Sequence, residues 1–195
     1  MTIEIKDVSK TFGAVKVLDN FSLEIESEHS YIITGAEGSG KTTLIRILLG
    51  LEKADTGYIK LLGDYKYPYI CYGTVFQDDR LCEDFTAVDN VAMVSKKIFR
   101  ETAYEELSRF IAPENIDKKV KELSKRDRRF VSIVRATMIP NDLLVMDEPL
   151  EGLDDQDRKL AIDYIRDKQG SGPLVMTATD TTGLNFGRVI DLSAE

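Results

Sequence analysis

The residues with the clearest chemistry are Gly35-Ala-Glu-Gly38-Ser39-Gly40-Lys41-Thr42-Thr43, set between the apolar run Tyr31-Ile-Ile-Thr34 and a second one from Leu44 to Gly50. Gly, four residues, then Gly-Lys-Ser/Thr between a strand and a helix is the spacing of a loop that cradles phosphates. Glycines let the backbone curl and aim successive N–H groups at one anion, and the positive end of a helix starting near Lys41 adds to the attraction. Lys41 then reaches the terminal phosphates and the Thr42 hydroxyl serves as a magnesium ligand. Gly35, Gly38, Ser39, Gly40 and Thr43 complete the expected nucleotide-binding set. A bare glycine turn with an exposed lysine is the alternative, and the strand and helix context argues against it.

Downstream, Asp142-Leu-Leu-Val-Met-Asp147-Glu148-Pro149 is an apolar run ending in two carboxylates. Adjacent acids at the end of a buried strand are costly unless something pairs with them. With a phosphate loop upstream, Asp147 is assigned to the magnesium shell and Glu148 to the water that attacks the γ-phosphate. Gln77 ends a strand read over 69–76, where ligands bind in open α/β sheets. Its amide oxygen is placed on magnesium or on the attacking water. Phe12, between two early strands, has two readings: a ring lying on a purine, or a turn aromatic covering the sheet edge. Lys118, Lys119, Lys121, Lys125, Arg126, Arg128, Arg129 and Arg135 form one basic patch, read as a solvated face from which Lys125 or Arg126 approaches a phosphate.

The elements that must position these groups follow from periodicity. Ile3, Ile5 and Val8, then Val15, Val17, Phe21, Leu23 and Ile25, alternate as two strands of an antiparallel layer. Another strand is expected between Gly57 and Gly63. From about Val88 to Leu123 the pattern is helical, with Ala103, Leu107, Phe110 and Ile111 on one face and Pro113 as a restart. A helix carrying Phe130, Ile133 and Val134 follows, then a surface helix over 155–168 with Leu160, Ile162 and Ile165 inward. Leu174–Thr177 and Val189–Leu192 are the last strands.

At 195 residues the chain is read as one α/β domain. Its net charge of −8, from 34 acids against 26 bases, argues against a general nucleic-acid or anionic-membrane binder. No apolar run approaches the roughly 18–20 residues of a membrane span, and Met-Thr-Ile-Glu-Ile-Lys-Asp does not have the form of a signal peptide, so a cytosolic chain without direct membrane insertion is expected. Cys71 and Cys82 lie far from any Cys or His at ligand spacing and are read as reduced thiols.

The ordered set of phosphate loop, Gln77, Leu123-Ser124, Asp147-Glu148-Pro149 and Leu153-Asp154 resembles the ATP-binding cassette ATPases over nearly the whole chain. The resemblance implies a P-loop NTPase core, an antiparallel β subdomain carrying an adenine-stacking aromatic (here Phe12), and an inserted helical subdomain, about 87–138. It also implies ATP and Mg²⁺, and a homodimer or a heterodimer with another cassette, in which Ser124 of one subunit faces the phosphate loop of the other and Asp154 lies at the seam. A transmembrane permease partner at the inner face of the cell membrane is implied too. Thr74-Val-Phe-Gln-Asp-Asp-Arg-Leu through Phe85-Thr-Ala-Val-Asp-Asn-Val is similar to the segment by which importers of small anions meet that partner. Two departures stand out. Lys125-Arg126-Asp127 replaces Gly-Gly-Gln after Leu123-Ser124, where the new side chains either obstruct a phosphate or supply charged contacts to it. Thr179 stands where the family has a histidine, and the only histidine is His29.

Overall fold

Strand alternation builds the first layer. The computed structural model describes residues 2–62 and 70–192, and in it β1 (Thr2–Phe12) buries Ile3, Ile5 and Val8. β2 (Val15–Glu26) runs back antiparallel, with Thr2 opposite Glu26 and Phe12 opposite Val15. β3 (Ser30–Thr34) leaves this layer, α1 (Lys41–Leu48) follows, and β4 (Thr56–Leu62) returns to the free edge of β1, giving the order β2-β1-β4. The last expected residue of that strand, Gly63, lies outside the described residues, as does Tyr69.

The second sheet is parallel. β5 (Tyr72–Val75), β6 (Leu143–Met146), β7 (Leu174–Thr177) and β8 (Arg188–Asp191) join β3 in the order β5-β6-β7-β3-β8. β6 and β7 are buried at every position, as strands covered on both faces must be. Alternate residues serve different cores. Ile32, Leu144, Met146, Leu174 and Met176 pack on the helical side. Tyr31, Ile33, Leu143, Val145 and Val175 pack with α1 and the antiparallel layer. β5 is shorter than the 69–76 expectation because its partner β6 offers only four residues, Leu143 to Met146, to pair with.

Between β5 and β6 the expected helical run is broken into α2 (Ala87–Ala92), α3 (Arg100–Leu107), α4 (Pro113–Ile116), a 3-10 turn at Val120–Glu122, and α5 (Lys125–Met138). Pro113 opens α4 at its first turn, where a missing N–H costs nothing. α6 (Asp155–Gln169) buries Asp157, Ala161, Ile162, Tyr164 and Ile165. Leu160, expected inward, is exposed, because it lies about 100° round the helix from Ala161, off that stripe. Phe110 stacks on Phe130 at 4.6 Å and meets Tyr164 edge-on at 4.8 Å, joining the helical segment to α6.

β5 touches α5 at Gly73. A Cβ there would meet the Ala136 carbonyl oxygen at 2.3 Å and Leu144 Cδ2 at 2.6 Å. Overpacking of this kind typically costs about 1–3 kcal/mol, so Gly73→Ala is expected to lower the urea unfolding midpoint by that equivalent with an unchanged denaturant slope.

Candidate functional site

Four strand ends share one rim. The carboxyl end of β3 runs into Gly35–Gly40, β5 leads to Gln77, β6 ends at Asp147-Glu148, and β7 leads to Ala178-Thr179-Asp180. β7 lies between β3 and β6. Ligands bind outside the carboxyl ends of strands in such sheets, and a cleft of about 680 Å³ opens there. Gly38, Gly40, Lys41, Thr42, Thr43, Gln77 and Glu148 all line it, together with Thr177 and Thr179. Asp147 sits directly behind them, 2% exposed.

The loop has the features of an anion cradle. Gly38 (φ 81) and Gly40 (φ 97) take backbone conformations that side chains resist. A Cβ on Gly40 would meet the Val17 carbonyl oxygen at 2.3 Å, whereas one on Gly38 would meet nothing within 4 Å. Gly40 caps α1 with no side-chain bond, and no acid occupies the first turn, so the positive helix end has no local counter-charge. The Ser39 hydroxyl is buried without a hydrogen-bond partner. Lys41, 7% exposed, is steered over the loop by the Gly35 and Ala36 carbonyls at 2.8 and 3.3 Å. Its Nζ stands 3.5 Å from Glu148 Oε1. Open space at Gly38, an orphaned hydroxyl, an uncapped helix and a steered ammonium together fit a phosphate chain.

Two threonines bracket the two carboxylates. Thr177 donates its hydroxyl to Asp147 Oδ1 at 2.7 Å and accepts the Glu148 N–H at 2.8 Å. Glu148, at φ 46, holds a left-handed conformation. Its Oε1 accepts the Thr179 hydroxyl at 2.6 Å, and its Oε2 accepts the Thr179 N–H at 3.0 Å. Arg158, on α6, donates to the Leu150, Asp180 and Thr182 carbonyls and faces the Asp180 carboxylate at 3.2 Å. The Thr182 N–H first, and then Arg158, hold the Asp180 carboxyl below its ordinary range.

Gln77 is tied on two sides. Its Nε2 donates to Glu151 Oε2 at 3.1 Å. Its carbonyl and that of Phe76 accept from the buried Arg129 guanidinium at 2.9 and 3.1 Å, while Arg129 Nε faces Asp79 at 3.3 Å. Arg135 donates to the Asp79 and Arg80 carbonyls, both at 2.9 Å. Burial lifts the Asp79 carboxyl above its usual range against the pull of Arg129, Arg128 and Arg135. Part of the basic patch is therefore scaffolding for this loop.

Arg126, one of the two candidates read to approach a phosphate, is engaged within the chain. Its Nε and Nη2 grip both Asp157 oxygens at 2.6 Å, Nη1 donates to the Phe110 carbonyl at 2.8 Å, and the guanidinium lies 4.8 Å over the Phe130 ring. Lys125 is exposed. Ser124 caps α5, accepting the Asp127 N–H at 3.0 Å, and Asp154 caps α6 in the same way. Neither Ser124 nor Phe12 lines the cleft. Phe12 is 48% exposed, with the Lys10 ammonium 5.1 Å over its ring. Among the described residues no cluster of three or more His, Cys, Asp or Glu is arranged to hold a metal. Magnesium ordinarily takes one or two carboxylates and completes its shell with phosphate and water, which Thr42, Asp147 and Gln77 suit.

Thr177, Arg129 and Arg158 are not marked as site residues by the sequence, Thr179 stands out only as the residue in the histidine's place, and Arg129 is visible only as part of a charged run. Thr177→Val removes a donor from a buried carboxylate and orphans the Glu148 N–H, so a loss of about 1–3 kcal/mol is expected by urea unfolding, with Thr177→Ser close to wild type.

Comparison with known proteins places the same residues in a wider set. The family model described as ABC transporter matches residues 18–151. A Nod factor export ATP-binding protein I of Cupriavidus metallidurans is 31% identical over 188 residues, covering 91% of this chain and 62% of that protein. A xylose/arabinose import ATP-binding protein of Sulfolobus acidocaldarius is 32% identical, covering 90% and 77%. A sulfate/thiosulfate import ATP-binding protein of Pseudomonas syringae pv. tomato is 34% identical, covering 82% and 53%. The chain thus spans about three fifths of the length of the Nod factor relative. A dimeric ATP-binding cassette in a post-hydrolysis state bound to ADP and Pi superposes with TM-score 0.82 at 25% identity, covering 97% of this chain and 93% of that one.

Proposed function

The chain belongs to the ABC transporter ATP-binding family, and from that premise we propose that it binds and hydrolyses ATP as the nucleotide-binding subunit of a membrane transporter. The carrying observation is that Lys41 and Glu148 converge to 3.5 Å across the strand between them, over an uncapped helix N-terminus. The ammonium there attracts phosphate, and a carboxylate stands beside it.

In this reading, Gly38, Ser39, Gly40, Lys41, Thr42 and Thr43 bind the phosphate chain through backbone N–H groups, hydroxyls and the ammonium. Thr42 and Asp147 would hold Mg²⁺, with Gln77 beside it; when bound, the ion neutralises charge on the phosphate oxygens. Glu148 takes a proton from the attacking water, and Gln77 orients that water. Phe12, exposed and braced by Lys10, is assigned to the purine.

The partner reading draws on the segment after Gln77. Phe85, Met93, Val94 and Phe99 are exposed there, Phe99 at 70%. Exposed apolar side chains grouped in one segment mark an interaction surface, which we assign to a permease. No helix among the described residues is long and apolar enough to cross a membrane, so membrane association is assigned to that partner. Residues 87–138 are the helical subdomain that carries this surface. The sulfate/thiosulfate relatives support an anion cargo, while the sugar and Nod factor relatives move other cargos, in both directions. The function is therefore stated as the ATP-binding role. The dimeric neighbours support pairing with a second cassette, and the family resemblance implies a head-to-tail arrangement in which Ser124 and Asp154 face the other subunit. A second reading, an ATP-gated dimerising module with weak hydrolysis, is supported by Thr179 in place of histidine and by Lys125-Arg126 after Ser124.

Equilibrium binding and single-turnover hydrolysis on the purified chain with Mg²⁺ test this. Lys41→Ala is expected to abolish ATP binding. Glu148→Gln is expected to keep binding and lose about 10²- to 10⁴-fold in turnover. Undiminished turnover in Glu148→Gln would remove the carboxylate from the mechanism.

A further inference from the structure

We propose that Thr179 is the positioning residue for the Glu148 carboxylate. The inference rests on the reading that Glu148 accepts the water proton.

A glutamate side chain has three rotatable bonds, and nothing in its own backbone aims its oxygens. Here one residue supplies two donors to the two oxygens: the Thr179 hydroxyl to Oε1 at 2.6 Å and the Thr179 N–H to Oε2 at 3.0 Å. Such a two-point grip fixes the plane of the carboxylate as well as its place. Thr179 is itself held from both sides. The Ala178 N–H donates to the Ile33 carbonyl on β3 at 3.0 Å. Asp180 is pinned by Arg158, through its carbonyl at 3.1 Å and its carboxylate at 3.2 Å. The donor therefore has little freedom, and the carboxylate follows it.

An ionised carboxylate has about four lone-pair directions. Thr179 takes two and Lys41 faces Oε1, which leaves one principal direction open. A water there gives up a proton as its O–H bond breaks, and Glu148 becomes the neutral acid. The water oxygen forms the new bond to phosphorus while the bond to the leaving phosphate oxygen breaks, its electron pair staying on the leaving diphosphate. Thr179 does not touch the reacting atoms; it acts by selecting the lone pair that receives the proton. A histidine at this position would bring a ring that titrates near neutrality. The threonine grip does not titrate there.

The experiment compares Thr179→Val, which keeps the N–H and the shape but lacks the hydroxyl, with Thr179→Ser, which restores it. Thr179→Val is expected to lower kcat about 10- to 100-fold, the range of a misplaced catalytic group, with KM for ATP within about twofold. Thr179→Ser should return kcat to within about threefold of wild type. Added to Glu148→Gln, Thr179→Val should produce no further loss, because it acts through that side chain. Wild-type kcat in Thr179→Val, or an equal loss in Thr179→Ser, overturns the proposal. Absence of turnover in the wild-type chain, or its persistence in Glu148→Gln, defeats the hydrolysis reading instead. The positioning claim is then decided by urea unfolding of the wild type, Thr179→Val, Glu148→Gln and the double variant. A double-variant midpoint no lower than that of the worse single variant supports the grip, and strictly additive losses overturn it.

Discussion

The insertion of β7 between the phosphate-loop strand and the carboxylate strand governs this molecule. Adjacent strands lie about 4.8 Å apart, so β3 and β6, with β7 between them, end about 10 Å from each other. That separation is spanned by the β7 backbone, which pairs with both strands, and at the rim by side chains. Lys41 reaches from one side and Glu148 from the other. The residues that close the gap come from β7 and the segment that follows it: Thr177 is the last residue of the strand and Thr179 lies two residues beyond. Thr177 joins Asp147 Oδ1 to the Glu148 backbone, and Thr179 joins the Glu148 carboxylate to the β3 edge through its fixed neighbour Ala178. Two adjacent acids beside a buried strand end are tolerable because each has donors in place.

A second set of cations explains how an acidic chain uses a basic patch. Arg129 and Arg135 turn inward and hold four carbonyls between Phe76 and Arg80. A guanidinium presents several donors in a rigid fork, so it can fix a loop that has no secondary structure of its own. Gln77 is thereby attached to α5, and α5 is attached to α6 through the two-point contact of Arg126 with Asp157. A displacement of α5 would have to carry Gln77 with it or break Arg129's bonds. The cleft and the helical segment are thus mechanically continuous through named contacts.

What the sequence made legible was local. The phosphate loop is a contiguous motif whose strand, turn and helix are all encoded within Tyr31 to Gly50, and Asp147-Glu148 announces itself by two charges after four apolar residues. β7 was also visible, since Leu174 to Thr177 is an unbroken apolar run. The strand order was not visible, and it gives Thr177 and Thr179 their neighbours. Two threonines after an edge strand would be ordinary; between β3 and β6 they are the contacts of both carboxylates. The same limit applies to Arg129 and Arg158, whose partners lie on segments distant in sequence. Leu160 failed for a different reason: helix periodicity gives the spacing of a stripe but not its phase, which the packed neighbours decide. The single helical zone expected over 88–123 became several short helices because tertiary contacts, not local pattern, set where each one ends.

The turn Ser124-Lys125-Arg126-Asp127 is held by specific contacts within the chain. Arg126 is held by Asp157, Asp127 and the Phe110 carbonyl, and its guanidinium covers the Phe130 ring. Ser124 accepts the Asp127 N–H as a helix cap, which uses a lone pair and leaves the hydroxyl proton available to donate. Lys125 adjoins it as an exposed cation. With Arg126 held by Asp157 but its side chain still 38% exposed, the turn presents a hydroxyl donor, a helix N-terminus and the exposed Lys125 cation beside the Arg126 guanidinium.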